Sequence, residues 1–345
     1  ELGADAWVHR KKYMKPLHQS LIRSFKKRPF QMFAADGQRG SVSCLGALTG
    51  LVVIAQLLKK KWEGQQKVGI LMPPTVVGAL VNYSAALSGK VPVNLNYTLS
   101  EEALKSCIDQ CSIKTVVTSK VFLQQIKLKV PCEMILIEEL TKSVTILGKV
   151  RAILAAFVLP VGLLERYLGN KQKVSMDDLA TVIFSSGSTG SPKGVMLSHY
   201  NVASNIQQVG QAFALGKEDR VLGILPFFHS FGFTGTLWLP GILGSGAVYH
   251  PNPIDGRGIG SLISKYKVTF LLATPTFLQI YMRACTPEQF GSVQFALVGA
   301  EKLPERLAVS FEDKFGLRPM EGYGTTETSP RNDLVKNYRV HPTHW

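Results

Sequence analysis

The chain has 345 residues, 46% of them hydrophobic, and carries a formal charge of +15 with a pI near 9.6. That apolar content is ordinary for a folded globular chain, long enough for two associated lobes, and the basic balance points to attraction for something acidic: nucleic acid, anionic lipid or an acidic protein. The cysteines, Cys44, Cys107, Cys111, Cys132 and Cys285, are odd in number and scattered, which excludes a zinc spacing or a disulfide framework and favours a reducing compartment.

Residues 1–36 read as a basic linker with a first helix: eight lysines and arginines lie between Arg10 and Arg28, around an amphipathic set of Leu17, Leu21, Ile22 and Phe25. Helix and strand then alternate. Helices are expected near Leu45–Lys60 and Thr75–Ser88 and after a Ser100 cap, where Cys107 and Cys111 share a face; strands are expected at Val68–Met72, Val91–Leu95 and Thr115–Thr118. After a polar stretch at Gly169–Ser175, the expected meeting point of two lobes, come a strand at Thr181–Phe184 and a helix capped by Ser198. Strands follow at Val221–Leu225, Ala247–Tyr249, Thr269–Ala273 and Phe295–Val298, with helices near Ile259–Tyr266, Phe277–Ala284 and Pro304–Phe315, the last stopped by Gly316. This alternation predicts an α/β fold with mostly parallel sheets covered by helices.

Three uncharged runs, Gly40–Leu58, Val68–Gly89 and Val221–Ile254, are too polar or too interrupted by proline and glycine to span a membrane, so no transmembrane helix is expected. The shorter run Ala152–Leu164 suits either a helix packed on the protein or one lying in a bilayer interface.

Chemistry concentrates in four strings. The strand Thr181–Phe184 empties into Ser185, Ser186, Gly187, Ser188, Thr189 and Gly190, followed by Pro192, Lys193 and Gly194. Glycines that turn backbone N–H groups inward, hydroxyl donors and a lysine together make a phosphate cradle, although the spacing is not that of a Walker A loop. In Glu321–Glu327 (EGYGTTE), Tyr323 between glycines can offer a ring face, the hydroxyls of Thr325 and Thr326 can reach a phosphate oxygen, and the Glu327 carboxylate can hold Mg²⁺. His229 stands among Phe227, Phe228, Phe231 and Phe233, which with Trp238 could line an apolar channel. In Val298–Lys302, Gly299 and Ala300 let the backbone approach a flat ring beside Glu301.

The string SSGSTGSPKG (Ser185–Gly194), followed by YGTTE (Tyr323–Glu327), resembles the nucleotide motifs of the AMP-forming adenylating enzymes, the acyl-CoA synthetase and luciferase superfamily. The resemblance implies the large N-terminal domain of such an enzyme, here residues 37–330, with ATP and Mg²⁺. It implies phosphate binding by Ser185–Gly190 and Lys193, with Gly299, Ala300 and Glu301 in the adenine wall and Tyr323, Gly324 and Thr325 in the nucleotide motif. Tyr323 would stack on adenine, Thr326 would touch the α-phosphate, Glu327 would ligate Mg²⁺, and His229 would position the acyl group. Lys193, His229, Thr326 and Glu327 are thus the expected catalytic set. A carboxylate, ionised at neutral pH, needs no general base to attack the α-phosphate.

Three longer stretches, Leu71–Thr98, Phe227–Pro253 and Leu271–Leu307, look like the acyl-acyl-carrier-protein synthetase half of bacterial 2-acylglycerophosphoethanolamine acyltransferase. That likeness implies a fatty acid, acyl carrier protein or CoA as the thiol partner, and cytoplasmic placement, peripheral at an anionic inner membrane face, with no nucleic acid involved. The rival readings are a long-chain acyl-CoA ligase and a non-catalytic membrane- or carrier-binding module. The tail Arg331–Trp345 departs from the family pattern, and the ribose-binding Asp, hinge and C-terminal lid expected after it do not follow, so the sequence reads as C-terminally truncated. The His–x4–Asp pair of the acyltransferase half has one counterpart, His250 and Asp255, which falls inside the synthetase-like stretch and reads as coincidence.

Overall fold

Short apolar runs bounded by capping residues set the strands, which number β1 (Met32–Asp36), β2 (Gly40–Ser43), β3 (Lys67–Leu71), β4 (Val91–Asn94), β5 (Thr115–Thr118), β6 (Glu133–Leu136), β7 (Leu179–Ser185), β8 (Lys193–Ser198), β9 (Arg220–Gly223), β10 (Gly246–Tyr249), β11 (Phe270–Ala273), β12 (Phe295–Val298), β13 (Met320–Tyr323) and β14 (Asp333–Leu334). They come from a computed structural model in which residues 10–185, 192–328 and 333–334 are described. The fold is α/β. A four-stranded parallel sheet has the order β4-β3-β5-β6, and an eight-stranded sheet the order β14-β13-β12-β11-β9-β10-β1-β2, parallel except for its two edge strands. β7 and β8 form an antiparallel hairpin that lies along β4, where the Thr181 hydroxyl donates to the Pro92 carbonyl at 2.8 Å.

Side-chain caps decide where the helices begin. Ser43, Thr75, Ser100, Thr274 and Asp255 each accept a backbone N–H from the first turn of the helix they precede, and Ser198 forms a capping box with Asn201. Pro304 caps helix Glu305–Phe315 rather than opening it, and Gly316 ends that helix at a φ of 68°. Cys107 and Cys111 are buried on one helix face, as their spacing predicts.

The described part of the basic segment 1–36 is built into the large core. Helix Leu17–Lys27 buries Leu17, Leu21, Ile22 and Phe25, and β1 pairs with β10 in the register Ala34↔Ala247. Its cations are partly spent on helix ends: Arg28 donates to the carbonyls of Leu243 and Gly244, each at 3.2 Å, and Lys26 to that of Leu159. Because β1 and β2 complete a sheet otherwise made from residues beyond 219, the Gly169–Ser175 stretch does not divide the chain into two sequential lobes.

The run Ala152–Leu164 is broken. Pro160 cannot continue a helix and forces Leu159 extended, so helices Ile146–Val158 and Val161–Leu168 replace it. Among the described residues no helix is long and apolar enough to cross a membrane.

A buried histidine cluster ties helix Leu17–Lys27 to helix His199–Ala212. His18 Nε2 lies 2.6 Å from Glu165 Oε1, and His199, 5% exposed, accepts the Leu17 N–H at Nδ1 (3.3 Å). Burial opposes ionisation of Glu165, yet hydrogen bonds from His18 and Gln19 hold its carboxyl below the ordinary range. Burial, with the nearby His18, pushes the His199 pKa down to about 3 against a smaller upward pull from Asp178. The unfolded chain therefore binds more protons between the ordinary histidine value and about 3, and stability falls as pH drops through that window. Between pH 7 and pH 5 this one group should cost about 2 kcal/mol. Melting curves across that range should fall less steeply for His199→Gln, which keeps an acceptor for Leu17; parallel curves would show that His199 is not the titrating group.

Candidate active site

Both sheets deliver the carboxyl ends of their parallel strands to one cleft of about 890 Å³. Loops and helix N-termini gather at such edges, which is where open α/β sheets hold ligands. On the eight-stranded side, β9 runs into Leu225, Pro226 and Phe228–Gly232, β10 into Pro251–Pro253, and β11 into Thr274. On the same side β12 runs into Gly299–Glu301 and β13 into Gly324–Thr326. From the four-stranded sheet, β4 leads to Tyr97 and Thr98, and β5 to Phe122 and Gln125.

The walls differ in character. Tyr97 meets Phe122 and Phe228 edge to face, with centroids 5.0 and 4.8 Å apart, making an apolar wall shared by both sheets. Burial raises the Tyr97 pKa to about 12, so the phenol stays a neutral donor. His229 packs on Phe228 at 4.5 Å and is exposed to the cleft, where the neighbouring walls partly desolvate it and lower its pKa. The imidazole is therefore neutral at pH 7, a hydrogen-bonding group rather than a cation.

Opposite, the backbone itself forms the wall. A Cβ on Gly299 would lie 3.2 Å from the Gly322 carbonyl and 3.3 Å from the Phe231 ring, so the two chain segments approach as only small residues allow. Ala300 adopts a left-handed φ of 68°, and the next residue, Glu301, accepts the Thr276 hydroxyl at 2.9 Å at the rim.

Three of the four expected strings thus meet in one place: His229, then Gly299, Ala300 and Glu301, then Gly324, Thr325 and Thr326. The fourth approaches through its exit. Lys193, exposed, opens β8 opposite Ser185, and the turn Thr326–Thr328 that carries Glu327 packs against β8. Ser186, Gly187, Ser188, Thr189 and Gly190 lie outside the described residues. Tyr323 is not part of the cleft lining and is 64% exposed, as strand alternation requires when Gly322 and Gly324 face the cleft. Of the aromatics expected to line a channel, Phe228 and Phe231 do so, whereas Phe227, Phe233 and Trp238 are core residues at 1% exposure or less, Trp238 lying against Tyr83 at 4.9 Å. Tyr97, Phe122, Pro251–Pro253 and Phe277 line the cleft without having been singled out from sequence; their common signal is position just beyond a strand's carboxyl end. His250 and Asp255 do touch, at 2.9 Å, but Asp255 also caps helix Gly256–Tyr266 through Gly258 N–H at 3.0 Å, so the pair anchors that helix.

Known proteins share this fold. Over 161 residues, 46% of this chain, the sequence is 33% identical to a feruloyl-CoA synthase of Amycolatopsis, of which the match spans 32%. It is 34% identical over 160 residues to the long-chain-fatty-acid–CoA ligase of Bacillus subtilis, 44% of this chain and 28% of that one. The chain thus matches about a third of the length of these curated relatives. Among solved structures, the N-terminal domain of FACL13 from Mycobacterium tuberculosis superposes with a TM-score of 0.73 at 21% identity, over 92% of this chain and 77% of that one. The O-succinylbenzoate CoA synthetase of Bacillus subtilis, solved with AMP, superposes with a TM-score of 0.74 at 20% identity, over 92% and 75%. A model of the AMP-binding enzyme family matches residues 51–339, most of the sequence, and the chain belongs to that family.

Proposed function

We propose that the cleft activates a carboxylic acid with ATP. A carboxylate oxygen attacks the α-phosphorus, the bond from that phosphorus to the bridging oxygen of the β-phosphate breaks, and acyl-AMP and pyrophosphate result. The observation that supports this most directly is the convergence of His229, Gly299–Glu301 and Gly324–Thr326 on one cleft, with the strand opened by Lys193 packed against the turn of Thr326 and Glu327. The glycine-lined wall suits the flat adenine, and Lys193 with the hydroxyl loop Ser185–Gly190 suits the triphosphate. Neutral His229 suits orientation of the acid without competing for its charge.

Mg²⁺ fits the donor set. Glu327 is an exposed carboxylate with no hydrogen bond or ion pair among the described residues, and no cluster of three acidic, histidine or cysteine side chains occurs among them. That is the pattern for an ion held by one carboxylate together with substrate phosphates, where it would neutralise phosphate charge.

The apolar wall of Tyr97, Phe122, Phe228 and Phe277 favours a fatty or aromatic acid, in keeping with the feruloyl- and long-chain-acyl relatives. A fatty acid is the better fit to the basic, lipid-compatible composition. The thiol that receives the acyl group is acyl carrier protein in this reading and CoA in its rival. Acid-dependent exchange of labelled pyrophosphate into ATP, run with hexadecanoate, ferulate and benzoate, tests the first half-reaction alone. Exchange should be at least tenfold above background with one of these acids and strongest with hexadecanoate. Absence of exchange with every acid, together with a melting temperature that ATP–Mg²⁺ leaves unmoved, would remove the proposal.

A further inference from the structure

Helix Ile146–Val158 is built inside out. Its inward face is made of small residues, Ala152, Ala155 and Ala156, packed on helix Cys44–Leu58, while its large apolar side chains point to solvent. Ile146 is 81% exposed and Val158 72%, with Leu147, Ile153, Leu154 and Phe157 between them all more than 40% exposed. Leu163 and Tyr167 of helix Val161–Leu168 add to the exposed apolar surface. Monomeric surfaces seldom leave so continuous an apolar area bare.

The charges around it supply the chemistry of its partner. At about 100° per residue, Lys149 and Arg151 fall on the two flanks of an exposed apolar arc of about 140°. From residue 141 to 173 the sequence has six basic side chains, Lys142, Lys149, Arg151, Arg166, Lys171 and Lys173, and one acid, Glu165. All six cations are exposed, and none of their side chains has a hydrogen bond or ion pair among the described residues. Glu165, by contrast, is buried and occupied by His18 and Gln19. A helix with an apolar face between cations whose stems can lie along that face is the form that seats in the headgroup layer of an anionic bilayer. Its 13 residues are too few to cross one.

We propose that helices Ile146–Val158 and Val161–Leu168 dock the protein on an anionic phospholipid surface. Ile146, Leu147, Ile153, Leu154 and Phe157 enter the acyl boundary, and Lys149 and Arg151 rest at the headgroup phosphates. This inference does not depend on the adenylation reading, and its test uses no nucleotide.

The test floats the full chain with vesicles of phosphatidylcholine alone or mixed with phosphatidylglycerol. The protein should bind the mixed vesicles, and L154S/F157S should bind them at least tenfold less at all salt concentrations. K149Q/R151Q should lose about fivefold for each charge removed at low salt. All four positions are exposed, so the melting temperature should stay within a few degrees of the parent. As a second measurement, the extra tryptophan of L154W should shift its emission to the blue when mixed vesicles are added and not with phosphatidylcholine alone. Unchanged flotation of L154S/F157S would overturn the proposal, as would an L154W signal unmoved by lipid. A dimer in solution that L154S/F157S dissociates, without vesicle binding, would overturn it in favour of a second copy as the cover.

Discussion

Gly232→Ala should cost about 3 kcal/mol or more and lower the melting temperature by roughly 4 °C or more, the largest loss expected from any single added methyl near the cleft. The backbone dihedrals at Gly232 are ordinary helical ones, so the reason is space and not conformation. A Cβ there would lie 2.1 Å from the Pro226 carbonyl oxygen and 2.8 Å from that of Leu225, distances that no rotamer change can relieve because both obstacles are backbone. The Pro226 carbonyl accepts the His229 N–H at 3.1 Å, so pushing it aside also moves the histidine in the cleft wall. Two controls isolate the cause. Gly241→Ala clashes only with the end of the Leu21 side chain, with the Tyr83 hydroxyl at ordinary contact distance, and should cost less, and Gly37→Ala, with nothing within 4 Å, should be neutral or slightly stabilising. Equal melting temperatures for Gly232→Ala and Gly37→Ala would mean that the close approach at Pro226 is not maintained in solution.

That approach also marks what a sequence can and cannot disclose. Features with a local cause were legible: Thr115–Thr118 and Phe295–Val298 are strands over the residues their β-branched and apolar runs suggest, and Ser100 and Ser198 cap helices because the hydroxyl needs only the next turn's N–H. Features that depend on partners far along the chain were not. MFAAD at β1 is too short and plain to announce that it pairs with β10, more than two hundred residues later. The aromatic string around His229 gave the identity of the cleft residues but not their facing. Phe228 and Phe231 turn to the cleft while Phe233 and Trp238 enter the core through a π-helical stretch, Phe233–Trp238, whose period the sequence does not display. Tyr97 and Phe122 come from the other sheet, and only the rule that ligands sit at the carboxyl ends of parallel strands could have found them.

At Ala152–Leu164 the run's hydrophobicity does not give its facing: a buried alanine face and an exposed isoleucine, leucine and phenylalanine face reverse the usual sense of an amphipathic helix. The reversal follows from packing distance. Helix Ile146–Val158 lies against helix Cys44–Leu58, and three alanines let the two backbones come close, which leaves the bulky residues no inward place.

If the cleft adenylates a carboxylic acid as proposed, Lys193→Ala should lower acid-dependent pyrophosphate exchange by about 10²–10³-fold, since in that reading it removes a fixed positive charge from beside the triphosphate. Lys193 is exposed at the first residue of β8, so the variant should melt with the parent, and lost activity cannot be ascribed to unfolding. The informative measurement is the pair with Glu327→Gln. β8 packs against the turn Thr326–Thr328, so if Lys193 and Glu327 serve one triphosphate, the double variant should lose less than the product of the two single losses, by a coupling of about 1 kcal/mol or more. Strict additivity would mean that the two side chains answer to different ligands despite the contact of their elements. Lys193→Arg refines the result: a retained charge with altered shape should recover part of the exchange if attraction is the contribution, and none if the lysine must reach a single oxygen.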